Sequence, residues 1–586
     1  MAGMKGTGRM KNGGQQSEAG SAARRDVLRG LVLTLGGGAV LAGLPADLRA
    51  ADTDPVRYPA LAPTTEDTIM ASDTAPVVDT ASGKVRGYVR KGIFTFKGIP
   101  YADTTAGPNR FMPPQKAKSW TGIRSSMQFG NVCPQPPRAG WADDEVAWMF
   151  SWDDGVPGED CLRVNLWTSG IHDGKKRPVM VWLRGGGYTA GSGQELLSYD
   201  GENLARRGDV VVVTLNHRLN VFGFLNLAHY GSQYETSGNV GMLDIVAALE
   251  WVRDNISEFG GDPNLVTIFG QSGGGGRVSA LMAMPSANGL FHRAIVESGS
   301  LLQGITDEDS AKLASQLLAK LNLDASSIAS LQDIPFRDLE AAAVAVTTHP
   351  MPRSGIIDFR HIGHMLGWAP VMDGKVLPLH PWEPEAPAQS AQVPLLVGTT
   401  LNEFVTAMGH PEFMEMDEEL LKSRVQSVFG DKSDSVIAAA KSVYPNAIPF
   451  ELWSVIAVSG VRASALNQAR LKAAQGAAPA YCYQFAWQTP LLNGRPMAFH
   501  CSEIAFVFDN TDRCENMTGG GQAARDLAAK VSDAWIHFAR SGDPNHPGLP
   551  HWTRLTAETN ATMIFDNTCE LRQRFDQALQ DATAST

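Results

Sequence analysis

Short, unbroken apolar runs recur along this chain, separated by stretches whose apolar residues return every three or four positions. Arg177–Leu183 reads RPVMVWL, the run beginning at Asp209 reads DVVVVTLNHRL, and Leu265–Gly270 reads LVTIFG. Continuous apolar runs of this length predict strands buried on both faces. Between them, GMLDIVAALEWVRDNISEFGGDP places Ile245, Val246, Leu249, Val252 and Ile256 on one helical face, and Gly260–Gly261 predict the stop. Val393–Val397 predicts a further buried strand. Strands alternating with helices predict an α/β fold with a large, mostly parallel sheet covered by helices on both faces. In such sheets ligands bind beyond the carboxyl ends of the strands.

Length and composition narrow the picture. With 586 residues, 43% of them hydrophobic and 8% aromatic, the chain has material for a large core and reads as globular. A net charge of −11 leaves no basic excess to neutralise phosphates, which argues against a general nucleic-acid binder and leaves a small-molecule substrate or a protein partner open. At the N-terminus, Arg24–Arg25 precede an apolar run, Leu31–Leu44, and then small residues. This is the pattern of a twin-arginine export signal, here residues 1–51, with cleavage between Ala46 and Ala51. Leu48 and Arg49 interrupt the small-x-small cleavage pattern, and the competing reading is an uncleaved anchor. The run is shorter than the ~20 residues a membrane span needs. The expectation is therefore a periplasmic or secreted protein with no stable membrane insertion, a linker over 52–74 and one domain over 75–586. Export permits disulfides, but six cysteines allow 15 pairings and spacing does not choose among them.

The chemistry concentrates in VTIFGQSGGGGRVS, Val266–Ser279. Gly270-Gln271-Ser272-Gly273-Gly274 fits G-x-S-x-G, a spacing that glycine-rich chains also produce by chance. Its setting is more informative: a predicted strand precedes it and a predicted helix follows. A turn that sharp needs small neighbours and holds the serine hydroxyl above the sheet edge. The alternative is a structural glycine turn with an incidental serine. A serine hydroxyl becomes a nucleophile only beside a base that an acid orients. In an elbow of this kind the order along the chain is Ser, acid, His. Glu403, after the Val393–Val397 strand, and His500, in GRPMAFHCSEIAFVF, fit that order. Among competing histidines, His361 and His364 precede Glu403, His410 lies too close to it, and His537 falls on a predicted amphipathic helix.

Blocks in fixed order then carry a resemblance: GKVRGYVRKGIFTFKGIPYA, GEDCLRVNLWT, VMVWLRGGGYTAGSG, VVVVTLNHRLNVFGFL, the GQSGG elbow, LFHRAIVESGS, VGTTLNEF and FARSGDPN. From about Val78 to Asn545 the chain resembles type-B carboxylesterases, the cholinesterase-like branch of the α/β-hydrolases. The resemblance implies the α/β-hydrolase fold, with helical insertions over the active site. It also implies a Ser272–His500–Glu403 triad and an oxyanion hole from the backbone N–H groups of Gly186, Gly187 and Gly273. It implies a small-molecule ester substrate and a disulfide between Cys133 and Cys161, leaving Cys482, Cys501, Cys514 and Cys569 unassigned. No metal or organic cofactor is expected, because this site chemistry is complete without one. Amides, carbamates and aromatic polyesters share the same acyl-transfer transition state, so they stay open as substrates. A non-catalytic binding or adhesion role is the other class of function.

Several positions depart from the family pattern. Gln271 and Gly273 stand where Glu and Ala are usual, Arg184 opens the glycine loop, Phe404 follows Glu403, and Cys501 follows His500. Arg184 reads as a loop-fixing salt bridge or as a contact to an anionic substrate group. The loop between Cys133 and Cys161 carries Trp141, Trp148, Phe150 and Trp152 beside Asp143, Asp144, Glu145, Asp153 and Asp154. It reads as a solvated loop pinned by its aromatics, or as an apolar, acidic lip in which Trp148 and Trp152 meet bulky substrates.

Overall fold

The computed structural model describes residues 68–137, 144–347 and 367–584. The expected export signal, most of the linker, and Trp141, Asp143, His361 and His364 lie outside the described residues. The linker's end is tied down, because the backbone groups of Met70 exchange two hydrogen bonds of 2.9 Å with those of Val89.

Eleven strands form the main sheet. In chain order they are β1 (Tyr88–Arg90), β2 (Ile93–Pro100), β3 (Arg163–Thr168), β4 (Arg177–Leu183), β5 (Val211–Leu215) and β6 (Gly261–Gln271). They continue as β7 (Arg293–Glu297), β8 (Leu395–Thr400), β9 (Ala480–Phe485), β10 (Thr562–Phe565) and β11 (Glu570–Arg572). Across the sheet the order is β11-β10-β9-β8-β7-β6-β4-β5-β3-β2-β1. Pairing is parallel from β10 through to β5, and antiparallel at β11 and from β5 to β1. The mostly parallel α/β sheet expected from the sequence is present, with antiparallel edges that the local pattern did not announce.

The two central runs behave as their composition requires. Every residue of β4 is buried, as is every residue of β5. The helix that follows β5 and its connecting turns spans Val240–Asn255 and buries Ile245, Val246, Leu249 and Val252, while Ile256 sits buried in the one-turn continuation. That continuation ends at Gly260, whose φ of 75° is the left-handed conformation a helix stop favours. Gly521–Ser541 forms an amphipathic helix with Trp535 and Phe538 buried and His537 exposed, as expected of a helix-surface histidine. Within the described residues, no helix is long and apolar enough to cross a membrane.

The arrangement of β4, β5 and β6 positions the site. The chain runs from β4 to β5 on one side, then crosses back to place β6 on the other side of β4. This is a topological switch point, where the loops leaving adjacent strand ends diverge and open a crevice. The glycine loop leaves β4 and Ser272 leaves β6.

Candidate active site

Ser272 sits between β6 and a helix, α1 (Gly273–Leu281), with φ 57° and ψ −125°. That is left-handed backbone on a residue with a side chain, a strained state found where function demands it. Its N–H donates to the carbonyl of Glu297 at 2.8 Å, and its own carbonyl accepts from Gly276 N–H at 3.0 Å, so the turn is fixed on both sides. Close packing explains the glycines. A Cβ on Gly274 would lie 1.8 Å from the Leu183 carbonyl oxygen, and one on Gly273 would lie 2.1 Å from that of Gly187. Helix and glycine loop therefore touch backbone to backbone, which brings Gly186, Gly187 and Gly273 to one place.

Gly186 and Gly187 adopt φ 82° and 58°. None of the described hydrogen bonds takes up their N–H groups. Gly273 opens α1, so its N–H has no partner inside the helix. One donor at a helix N-terminus and two on the loop packed against it suit a developing negative charge.

Glu403 and His500 arrive on loops beyond β8 and β9. Their backbones form a bridge in which His500 N–H donates to the Glu403 carbonyl at 2.8 Å. Their side chains are joined as well: His500 Nδ1 bonds Glu403 Oε2. The other carboxylate oxygen accepts from Ser298 Oγ at 2.7 Å and from Thr400 N–H at 3.0 Å. Glu403 is buried and His500 nearly so. The remaining polar contact of the imidazole is the Gln271 side-chain amide, 3.0 Å from Nε2. Gln271 adjoins Ser272, so residues 229 positions apart meet at the elbow. Among the described residues no hydrogen bond joins Ser272 Oγ to the ring.

Arg184 is 1% exposed and points away from solvent. Its Nη1 donates to the carbonyls of Gly185 (2.8 Å) and Ala190, and it forms no ion pair among the described residues. It shapes the glycine loop through backbone carbonyls rather than through the salt bridge considered from the sequence. Sequence reasoning missed Arg277, also fully buried, whose Nη1 donates to the Arg184 carbonyl at 3.2 Å and whose guanidinium lies 4.8 Å from the centre of the Tyr188 ring. It missed Ser298 too; the ESGS that follows β7 was its only signal.

The lip is anchored rather than loose. Asp144–Phe150 forms a short helix, and Glu145 pairs with Arg495 at 2.7 Å and accepts from Gly409 N–H at 2.7 Å. Phe150 stacks on Trp152 with ring centres 5.0 Å apart and meets Phe499, the neighbour of His500, edge-on at 5.8 Å. Trp152 is therefore partly built into the wall, while Trp148 is 51% exposed. One expectation needs correction: Cys133 and Cys161 are buried free thiols, not a disulfide. They lie side by side, and the hydrogen bond from Cys133, together with burial, pushes the Cys161 thiol well above its usual range.

Near His500 and Glu403 lie carboxyls whose acid form burial favours. Glu297 is pushed up to about 8 by desolvation, opposed by the Trp535 indole N–H that donates to it at 2.7 Å. Glu503 is raised well above the usual carboxylate range by burial and then by Glu297 and Glu403. Burial also lifts Glu195, behind the glycine loop, to about 7.

A mostly parallel sheet with a strained serine at a strand-to-helix turn, and a carboxylate–imidazole pair on later loops, defines an α/β-hydrolase of the esterase type. The chain belongs to the carboxylesterase family, whose family model matches residues 74–583. It is 35% identical over 501 residues to para-nitrobenzyl esterase of Bacillus subtilis, a match covering 84% of this chain and 95% of that one. It is 33% identical over 501 residues to phenmedipham hydrolase of Pseudarthrobacter oxydans, with the same coverage of 84% and 95%. Among solved structures, an esterase from Clostridium hathewayi described as hydrolysing aliphatic aromatic polyesters matches with a TM-score of 0.73 and 36% identity, over 88% of this chain and 99% of that one. The carboxylesterase of Geobacillus stearothermophilus matches with a TM-score of 0.71 and 36% identity, over 86% and 100%.

Proposed function

We propose that this carboxylesterase hydrolyses esters through an acyl-enzyme on Ser272, with His500 as base and Glu403 as the acid that orients it. The observation carrying this reading is the side-chain pair of His500 and Glu403, held next to the elbow by the contact between His500 and Gln271. With Nδ1 donating to the carboxylate, Nε2 keeps its lone pair and takes the Ser272 proton as Oγ attacks the ester carbonyl. The tetrahedral oxyanion is held by the N–H groups of Gly186, Gly187 and Gly273. The imidazolium, compensated by Glu403, protonates the leaving alcohol. Water activated by the same ring then releases the acid. Hydroxyl and ring need to close on each other, as catalytic hydrogen bonds do when substrate enters.

The substrates we infer are neutral, aromatic or otherwise bulky esters. Trp148 and Trp152 supply apolar surface, and the exposed Asp144, Asp153 and Asp154 supply negative charge that disfavours anions. A fluorophosphonate probe tests the nucleophile: it labels the parent enzyme and leaves Ser272→Ala unlabelled. Labelling of Ser272→Ala, or turnover by it, refutes the triad. Matched ester, amide, carbamate and aromatic polyester substrates then rank the acyl classes. We further propose export by the twin-arginine route, on the strength of Arg24–Arg25 and Leu31–Leu44. Replacing both arginines by lysine should hold the protein inside the cell.

A further inference from the structure

Three positions where this chain departs from its family's pattern meet on one side chain. Gln271, Phe404 and Cys501 all bear on His500, directly or through one another. The Gln271 amide nitrogen lies 3.0 Å from Nε2 and 3.3 Å from Nδ1. In the ring plane, such an approach to both nitrogens would drive it into a ring carbon. The amide therefore lies over one face of the imidazole. The Phe404 ring is tilted by 31° to the imidazole with its centre 3.8 Å away, so it covers a face too, and the two cannot share one. His500 is sandwiched between an amide and an aromatic ring.

The amide is itself held. Cys501 Sγ donates to Gln271 Oε1 at 3.2 Å, which turns the NH₂ end toward the imidazole. Gly185 leaves the space, since a Cβ there would stand 3.2 Å from the same oxygen. Cys501 has φ 78°, left-handed backbone that favours glycine. The chain thus carries a side chain where the backbone disfavours one, and that side chain's polar contact is with Gln271.

We propose that Gln271, Phe404 and Cys501 form a clamp that fixes the plane of the His500 ring, with the Cys501 thiol acting only through the Gln271 amide. The three are positioning residues. The ring has to take a proton from Ser272 and deliver it to the leaving oxygen while Nδ1 stays on Glu403, so rotation about its Cβ–Cγ bond is the motion to suppress. The aromatic face of Phe404 also favours the imidazolium that forms during attack. The clamp rests on the reading of His500 as the base.

The test measures kcat and KM for a small p-nitrophenyl ester in Gln271→Met, Cys501→Gly, Cys501→Ser, the double variant Gln271→Met/Cys501→Gly, and Ser272→Ala. Misplacing a catalytic group by about 1 Å is worth up to roughly 100-fold, so partial loss of the clamp should lower kcat about tenfold in Gln271→Met and about threefold in Cys501→Gly, with KM within about twofold. Cys501→Gly relieves backbone strain, so its melting temperature should hold or rise while kcat falls, the opposite of what a merely structural cysteine gives. Cys501→Ser keeps a donor and should restore most of the rate. In the Gln271→Met background, Cys501→Gly should cost nothing further. Equal losses from Cys501→Gly in both backgrounds, an unchanged kcat in Cys501→Gly, or Cys501→Ser as slow as Cys501→Gly would each overturn the clamp. These single and serine variants decide the matter even if the double variant does not fold. Turnover by Ser272→Ala would overturn the triad instead, which separates the two failures.

Discussion

Gly273→Ala restores the residue usual in the family and should nevertheless damage this enzyme. The added Cβ would stand 2.1 Å from the Gly187 carbonyl oxygen and 2.6 Å from Gly187 Cα, where ordinary contact begins near 3.4 Å. The neighbour is backbone, so no side chain can swing aside. Relief requires the glycine loop and the head of α1 to separate by about 1 Å, which pulls Gly187 N–H away from the position the oxyanion would occupy. Loss of one such donor lowers kcat by roughly 10²–10³-fold in comparable sites, about 3–4 kcal/mol of transition-state stabilisation. Stability should change far less. Overpacking costs about 1–3 kcal/mol, and alanine recovers up to about 1 kcal/mol of helix propensity over glycine. The assay is kcat for a p-nitrophenyl ester alongside a thermal melt. A fall in kcat of about 100-fold with a cooperative melt fits the geometry. A kcat within about threefold of the parent would show that helix and loop are not in backbone contact, and the placement of the oxyanion hole would go with it.

Stability should also fall as pH rises from about 5 to about 8. Glu297 is raised from an ordinary 4.5 to about 8 by burial, so the folded state holds a proton that the unfolded state has released across that interval. The stabilisation is full below the unfolded value and lost as pH climbs through the folded one. Urea unfolding at pH 5, 6.5 and 8 measures it, and Glu297→Gln should flatten the slope; an unchanged slope would refute the assignment. At the lip, Trp152→Ala removes a ring stacked on Phe150 and should lower the melting temperature, whereas Trp148→Ala, half exposed, should leave it unchanged. Trp148→Ala should raise KM for bulky esters more than for acetates, and equal effects on both would refute a substrate-facing role.

The parts of this site that were legible in the sequence were local ones. An apolar run ending in G-x-S-x-G encodes its own strand, bend and helix, and β4 was bounded at Arg177 and Leu183 from its composition alone. Chain order found Glu403 and His500 because a parallel sheet presents its loops at one edge. Contacts between distant segments left no such trace. Ser298 reaches Glu403 across 105 positions and Gln271 reaches His500 across 229, and neither pairing has a period or a spacing. Arg184 reads from the sequence as a loop-fixing salt bridge or a contact to an anionic substrate group, because arginine is seldom buried unpaired. In the fold it is enclosed by its own loop's carbonyls, an arrangement visible only once Gly185 and Ala190 are placed in space.

The floor around Ser272 packs main chain against main chain. Gly187 abuts Gly273, and a Cβ on Gly299 would stand 2.1 Å from the Ser272 carbonyl oxygen. Such a floor offers natural selection little to work with, because nearly every substitution there collides with a neighbour before it can alter a pocket. New substrate preferences in this lineage must be acquired at the rim, around Trp148, Asp153 and Asp154. Mutagenic libraries confined to those positions should yield many more active variants than libraries aimed at the glycines.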